Sequence, residues 1–473
     1  MTIKFGTDGW RGIIADDFTF DNVRLCAQGV SLYLKDQGLA QRGLVVGYDT
    51  RFASEDFALA VAEVSTGNGV KTLLCREAAP TPVVSYSIVE RHAGGAAMIT
   101  ASHNPARWNG FKYKPEYAGS ASPEVVAALE ESIARAQEAG RVMSTPWERA
   151  LGGGAGELID VASPYLRHVA AMVDLQAIKT AGLKVVADAM YGAGAGYIPA
   201  LLDGGSITIQ ELHGERNPLF PGMAQPEPVA YNLHDLSTAV VKQGADVGLA
   251  LDGDADRFGL VDERGEFITP LQVFALLALY LLEIRGETGA LVKSLTATSM
   301  VYRLGERFNI PVHETPVGFK YIGPVMMREN ALMGGEESGG FGFRGHIPER
   351  DGILSALFVL DMMVRTGKRP SELLQYLFSQ VGPHHYKRTD IAFAAEKRSI
   401  LEKRLREASP DALGGMKVAR RDDVDGRRFI LEDGSWAIIR FSGTEPLLRI
   451  YAEGGGVDWV DTLIAEARGL VGV

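Results

Sequence analysis

Cysteine is nearly absent: Cys26 and Cys75 are the only two in 473 residues, which excludes a scaffold built on disulfides. Both lie in apolar, regular stretches, Val23 to Val30 and Val70 to Cys75, where buried free thiols in a reducing compartment are expected. Long apolar runs are missing too. The most apolar stretch, Leu271 to Leu282, is about half of what a bilayer span requires and predicts a buried helix, so no membrane partner is expected. Met1 to Gly12 contains charge and glycine but no apolar run with a cleavage site, which predicts a cytoplasmic protein rather than an exported one. Positive charge is also scarce. With 48 Lys and Arg against 59 Asp and Glu, the net charge is −11, a field that repels nucleic acid. Any anionic ligand must be met by a local cationic patch.

The length exceeds what one hydrophobic core supports, so several domains are expected. No fixed-period sequence repeat is evident, yet the order of elements recurs. Apolar strands at Gly43 to Tyr48, Val70 to Leu74 and Ala96 to Thr100 alternate with helical patterns such as Ser54 to Gly67. Leu183 to Ala187, Ile207 to Glu211 and Asp246 to Ala250 start a second such set, and Ala290 to Lys293 with the helices Leu271 to Arg285 and Asp351 to Thr366 a third. Alternation of this kind argues for βαβ units on mostly parallel sheets. The glycine run in Leu151 to Gly156 reads as a linker. The pattern then changes to strands such as Arg428 to Leu431 and Trp436 to Arg440. The expected architecture is α/β: three similar domains with mixed sheets, at 1–150, 151–257 and 258–372, and a smaller α+β domain at 373–473.

Two loops carry most of the chemistry. Thr100-Ala101-Ser102-His103-Asn104-Pro105 follows an apolar strand, and strand C-terminal ends in open α/β sheets are where ligands bind. Ser, Asn and Pro also form ordinary turns. His103 beside the serine and Lys112 shortly after it supply the proton transfer and positive charge that a phosphoryl-accepting hydroxyl needs. Leu249 to Leu251 leads into Asp252-Gly253-Asp254-Ala255-Asp256-Arg257, with carboxylates at alternate positions on a loop made tight by small residues. Such like charges repel unless a cation or Arg257 compensates, and Mg²⁺ prefers oxygen ligands, commonly completed by phosphate or water. Glu263 stands at the twelfth position from Asp252, but the absence of a central glycine and the strand-turn context argue against an EF-hand.

Gly334-Gly335-Glu336-Glu337-Ser338-Gly339-Gly340 offers carboxylates and a hydroxyl suited to sugar hydroxyls, or simply forms an acidic loop. Arg440-Phe441-Ser442-Gly443-Thr444-Glu445-Pro446, with Arg449 beyond it, joins cationic, hydroxyl and backbone donors that can cradle a phosphate. A plain hairpin turn is the alternative.

In chain order, these loops and Phe5 to Gly12 resemble the motifs of the α-D-phosphohexomutase superfamily, the phosphoglucomutases, phosphomannomutases and phosphoglucosamine mutases. The resemblance implies a central cleft with one loop from each domain. It implies phosphoserine at Ser102, Mg²⁺ held by Ser102, Asp252, Asp254 and Asp256, and a hexose 1,6-bisphosphate activator. Arg11 and Lys112 match the family's cationic helpers, and Arg257 closes the metal loop. Substrate contacts are then expected from Thr315, Gly318 and Lys320, from Glu336 and Ser338, and from Arg440, Ser442, Gly443, Thr444 and Arg449. Gly340 stands where dual-specificity enzymes place a histidine, so His346 is expected to take over that neighbourhood. Glu337, where phosphoglucosamine mutases carry Gln and dual-specificity enzymes Met, points to phosphoglucomutase and a hexose phosphate substrate, handled by a monomer or homodimer. A phosphomannomutase, a glucose-1,6-bisphosphate synthase and a non-catalytic sugar-phosphate binder are the rival readings.

Overall fold

The computed structural model describes residues 3–6, 8–441 and 447–472. Four sheets follow one another along the chain. The first contains β1 (Trp10–Ile13), β2 (Leu44–Tyr48), β3 (Thr72–Cys75), β4 (Gly95–Ile99), β5 (Trp108–Pro115) and β6 (Gly156–Ile159), in the order β1-β5-β4-β2-β3-β6. The second contains β7 (Lys184–Asp188), β8 (Thr208–Leu212), β9 (Val247–Leu251), β10 (Phe258–Val261) and β11 (Phe267–Ile268), in the order β11-β10-β9-β7-β8. The third, β13-β12-β14-β15, is built from β12 (Leu291–Ser294), β13 (Val312–Thr315), β14 (Met333–Gly335) and β15 (Phe341–Phe343).

These three sheets share one device. A parallel strand, β4, β9 or β14, ends and the chain returns antiparallel as β5, β10 or β15. The serine, aspartate and Glu336 loops are the three connections. Each holds one residue at positive φ: Ser102 at 51°, Ala255 at 56° and Gly339 at 90°. The latter two loops also close the same turn, with Ala255 N donating to Asp252 O and Gly339 N to Glu336 O. The strands entering them, such as Gly95–Ile99 and Val247–Leu251, are buried throughout, which explains their unbroken apolar sequence.

The fourth sheet is antiparallel: β16 (His385–Ala392), β17 (Ala412–Leu413), β18 (Met416–Asp422), β19 (Arg427–Leu431), β20 (Trp436–Phe441) and β21 (Leu447–Gly454), in the order β16-β21-β20-β19-β18-β17. Its core is separate, with Phe429, Ile439, Ile450 and Leu463 at its centre, whereas the first three units share one continuous apolar cluster. Leu295, Trp436, Ile438 and Tyr451 join the third unit to the fourth.

The structure moves every expected boundary toward the C-terminus. The Gly152 to Gly156 run is not a linker but a turn from the helix Trp147–Gly152 into β6, which pairs with β3. The first sheet thus ends at Ile159 rather than near 150. The second continues past Arg257 through β10 and β11 to Ile268. The helix Pro370–Val381 packs on Pro270–Leu279, so it completes the third unit and is not divided at 372. Cys26 and Cys75 are buried and free. Among the described residues, no helix is long and apolar enough to cross a membrane.

Candidate active site

Ser102 is 1% exposed and left-handed at φ 51°, and its N–H donates to Thr100 Oγ1 at 2.9 Å. Its Oγ donates to Asp252 Oδ2 at 2.9 Å and lies 3.2 Å from His103 Nδ1. The serine loop and the aspartate loop therefore meet at one hydroxyl. The approach depends on Gly253: a Cβ there would stand 2.5 Å from the Ser102 carbonyl oxygen. Gly253→Ala is expected to push the loops apart and cut turnover about a hundredfold, with an overpacking cost of about 1–3 kcal/mol. Steady-state kinetics beside a thermal melt checks this, and wild-type turnover would show that the contact is dispensable.

Asp252, Asp254 and Asp256 are fully buried and bring ligand oxygens within 4.8 Å of one another. Opposite them, Lys112 Nζ, 1% exposed, reaches Asp254 Oδ2 at 2.8 Å, Asp256 Oδ2 at 3.3 Å and Asp8 Oδ2 at 2.8 Å. Thr81 at the start of the helix Thr81–Glu90 adds a 2.5 Å bond to Asp254 Oδ2. These contacts use the Oδ2 atoms. Asp254 Oδ1 and Asp256 Oδ1 have no hydrogen-bond partner, a costly state for buried carboxylate oxygens. The donor set, three carboxylates and a serine hydroxyl, fits a hard divalent cation.

The electrostatics divide the triad. Burial, then the charges of Asp256 and Asp254, push the Asp252 carboxyl well above the usual range. Burial acts the same way on Asp254, but Lys112, the Thr81 hydroxyl and Arg350 together outweigh it and hold that carboxyl low. The three carboxylates around Lys112, those of Asp254, Asp8 and Asp256, outweigh burial there and raise its affinity for the proton. His103 is lowered well below the ordinary imidazole value by burial and by Arg257, Arg11, Arg51 and Lys112, so it is neutral near pH 7.

Several partners were not singled out from sequence. Arg350 Nη2 donates to Asp256 Oδ2 and Asp8 Oδ2, both at 2.7 Å, while Nη1 lies 3.5 Å from Glu336 Oε2. Glu349 backs it through Nε at 3.3 Å and takes Lys114 Nζ at 2.6 Å. One guanidinium thus joins the aspartate loop to the Glu336 loop. Glu227 accepts from Arg257 Nη1 at 2.5 Å, and the Arg257 N–H donates to Asp252 Oδ1 at 3.0 Å. Arg11 Nη1 donates to Asn104 Oδ1.

The other candidates divide. Glu336 is buried beside Arg350, and Ser338 lies in the same loop, partly exposed. Glu337 accepts from Tyr386 Oη at 2.9 Å and lies 3.5 Å from Arg388 Nη1, so the residue that pointed to a subfamily is clasped by the fourth domain. Thr315 ends β13, Gly318 adopts φ 128° before the helix Phe319–Glu329, and Lys320 Nζ reaches the Gly6 carbonyl at 3.5 Å. Arg440 forks onto Asp425 at 2.9 and 3.0 Å, and Arg449 faces Asp390 at 3.6 Å. Ser442, Gly443 and Thr444 lie outside the described residues.

His346 is placed elsewhere than expected. Its ring is fully buried, with Nε2 2.9 Å from Asp351 Oδ2 and Nδ1 3.0 Å from His168 Nε2. Tyr165 Oη donates to the same carboxylate. With one ring nitrogen facing Asp351 of its own domain and the other His168 of the second, His346 sits at the junction of those two domains.

Comparison with known proteins agrees with this assembly. Models of phosphoglucomutase/phosphomannomutase match in order: alpha/beta/alpha domain I at residues 2–140, domain II at 163–265, domain III at 269–381, and the C-terminal domain at 395–470. A phosphoglucomutase/phosphomannomutase of Thermococcus kodakarensis is 32% identical over 95% of this chain and 94% of its own. A phosphoglucosamine mutase of Carboxydothermus hydrogenoformans is 30% identical over 98% and 97%. The crystal structure of a Thermus thermophilus protein described as a phosphomannomutase superposes with a TM-score of 0.86, at 34% identity over the full length of both chains. The chain belongs to the α-D-phosphohexomutase superfamily and is a phosphohexomutase.

Proposed function

We propose that the enzyme interconverts glucose 1-phosphate and glucose 6-phosphate, with Ser102 carrying the phosphoryl group and a hexose 1,6-bisphosphate as intermediate and activator. The observation that carries this reading is the Ser102 hydroxyl, 2.9 Å from Asp252 in a buried carboxylate triad faced by Lys112. In the forward half, the bond from phosphorus to the Ser102 oxygen breaks as one forms to the sugar hydroxyl. The sugar loses a proton, and Ser102 ends as a hydroxyl. The bisphosphate then turns end for end, and its other phosphoryl group returns to Ser102. The Ser102 proton passes to His103 Nδ1, whose neutral ring stands 3.2 Å away.

Mg²⁺ bound by Asp252, Asp254, Asp256 and the serine oxygen would neutralise charge on the transferring group. Lys112 and Arg11 add fixed positive charge on the protein side. Arg440 and Arg449, with the 442–444 segment, would hold the phosphate that is not reacting, displacing Asp425 and Asp390. Glu336 and Ser338 would face the sugar hydroxyls, and Thr315, Gly318 and Lys320 would line the same side. Glu337 favours glucose over mannose and glucosamine.

A coupled assay over glucose 1-phosphate, mannose 1-phosphate and glucosamine 1-phosphate, with a trace of bisphosphate, tests this. The expected result is the highest kcat/KM for glucose 1-phosphate, lost with EDTA and restored by Mg²⁺. A higher value for mannose or glucosamine 1-phosphate overturns the specificity. Net transfer from an external bisphosphorylated donor, without isomerisation, makes the enzyme a bisphosphate synthase.

A further inference from the structure

Behind the serine loop, a buried arginine aims both of its Nη atoms at that loop's carbonyls. Arg51 follows β2, the neighbour of β4, and is 0% exposed. Its Nη2 donates to the carbonyls of Ser102 at 2.5 Å and Asn104 at 2.6 Å, and its Nη1 to those of Pro105 and Trp108, both at 3.1 Å. Its Nε faces Asp49 Oδ2 at 3.2 Å. Arginine has five N–H donors in a fixed plane; here both Nη atoms are spent on backbone carbonyls, while Nε has only the Asp49 charge beside it and no hydrogen bond.

The clamp is itself held rigid. Asp49 Oδ1 accepts from the Arg51 N–H at 2.9 Å and from Ser54 Oγ at 2.7 Å, and the Asp49 N–H donates to Ile99 O at the end of β4. From the second domain, the Phe220 ring covers the guanidinium at 5.0 Å. The loop needs this support, because a left-handed non-glycine residue is strained and persists only where its surroundings impose it. The Ser102 carbonyl that Arg51 grips is also the atom against which Gly253 packs.

We infer that Arg51 is a positioning residue for phosphoryl transfer, fixing the strained Ser102 backbone so that Oγ points at the aspartate triad, without touching the phosphate. The inference rests on the phosphoserine reading above. Lysine keeps the charge opposite Asp49 but has three donors on a flexible stem, so it cannot span carbonyls from Ser102 to Trp108. Misplacing a reacting atom by about 1 Å costs about a hundredfold in rate.

The test compares wild type with Arg51→Lys. Wild type is first incubated with glucose 1,6-bisphosphate, and the phosphate gained at Ser102 is followed by intact mass. No phosphate on Ser102 either before or after this incubation would overturn the phosphoserine reading, and this inference with it. Given a phosphorylated wild type, the Arg51→Lys rate of Ser102 phosphorylation, normalised to folded protein, is expected to fall about a hundredfold. Calorimetric Kd values for glucose 1-phosphate in Ser102→Ala and Ser102→Ala/Arg51→Lys are expected to agree within about twofold, the pattern of a loss confined to the transition state. An unchanged phosphorylation rate, or a Kd weakened as much as the rate, would overturn the inference and leave the phosphoserine reading intact. Should Arg51→Lys not fold, Phe220→Leu, which loosens only the cover over the guanidinium, is expected to slow phosphorylation severalfold with the same unchanged Kd, and a wild-type rate in it counts against the clamp.

Discussion

Ser102→Ala is expected to bind hexose phosphates and isomerise none of them, with turnover reduced by about four orders of magnitude or more, as for other nucleophile deletions. The hydroxyl is the one group at the meeting of the serine and aspartate loops that can form and release a phosphate ester, and among the described residues no other serine or threonine has an oxygen against Asp252. Fixed charge from Lys112, Arg11 and Arg257 remains in the variant, so sugar-phosphate binding survives. The test pairs the coupled assay with calorimetry and with intact mass, in which wild type carries an added phosphate that the variant lacks. Turnover within tenfold of wild type would remove the covalent intermediate from the mechanism.

Lys112→Met has the larger effect on stability. The ammonium is 1% exposed and is shared by Asp8 and Asp254 at 2.8 Å and Asp256 at 3.3 Å. Removing it leaves Asp254 with Thr81 and a repelling Asp252, while Arg350 still serves Asp8 and Asp256. Deleting one partner of a buried ion pair costs about 3–5 kcal/mol, and activity should vanish with the fixed positive charge. The sign with pH follows from the depressed carboxyls of Asp8 and Asp254. Their contribution is present above the unfolded carboxylate value and fades as pH falls through their lower folded values. The deficit of Lys112→Met is therefore full at neutral pH and narrows only below about pH 4. Adding Asp254→Asn should return part of the lost stability, because it removes the charge left without a cation. Denaturant unfolding of the single and double variants at two pH values measures both effects. A Lys112→Met protein as stable as wild type would mean that the triad does not depend on this lysine.

The parts of the site legible in sequence are those packed into short windows. Ser102 with His103, and Asp252 through Arg257, each follow an apolar strand, so strand and loop could be read together. Arg350 could not be read this way. Its partner Asp8 is 342 positions away, and only the packing of the first domain on the third brings them together. Arg51 lay in plain view after a strand, but its role depends on carbonyls that no sequence pattern reveals. Adjacency misled at His346: it follows the Glu336 loop by a few residues, yet β15 intervenes and turns the chain toward Tyr165 and His168. The domain boundaries failed for a related reason. β11 is two residues long and β6 is exposed at Glu157 and Leu158, so neither has the apolar run that marks a buried strand.

The recurrence of one strand-loop-strand device in three domains amounts to a division of labour among copies. Under the proposed chemistry one copy carries the migrating group, a second balances its charge and a third selects the sugar. Each displays a different set of side chains from a connection that holds one left-handed residue. Redundancy is therefore absent despite the repetition, since a defect in any copy cannot be covered by the other two. The copies also stand under unequal constraint. Those bearing Ser102 and Asp252 must fit each other atom to atom, whereas under the proposed chemistry the copy bearing Glu336 would answer to the ligand, and there substrate choice could change while the scaffold stays the same.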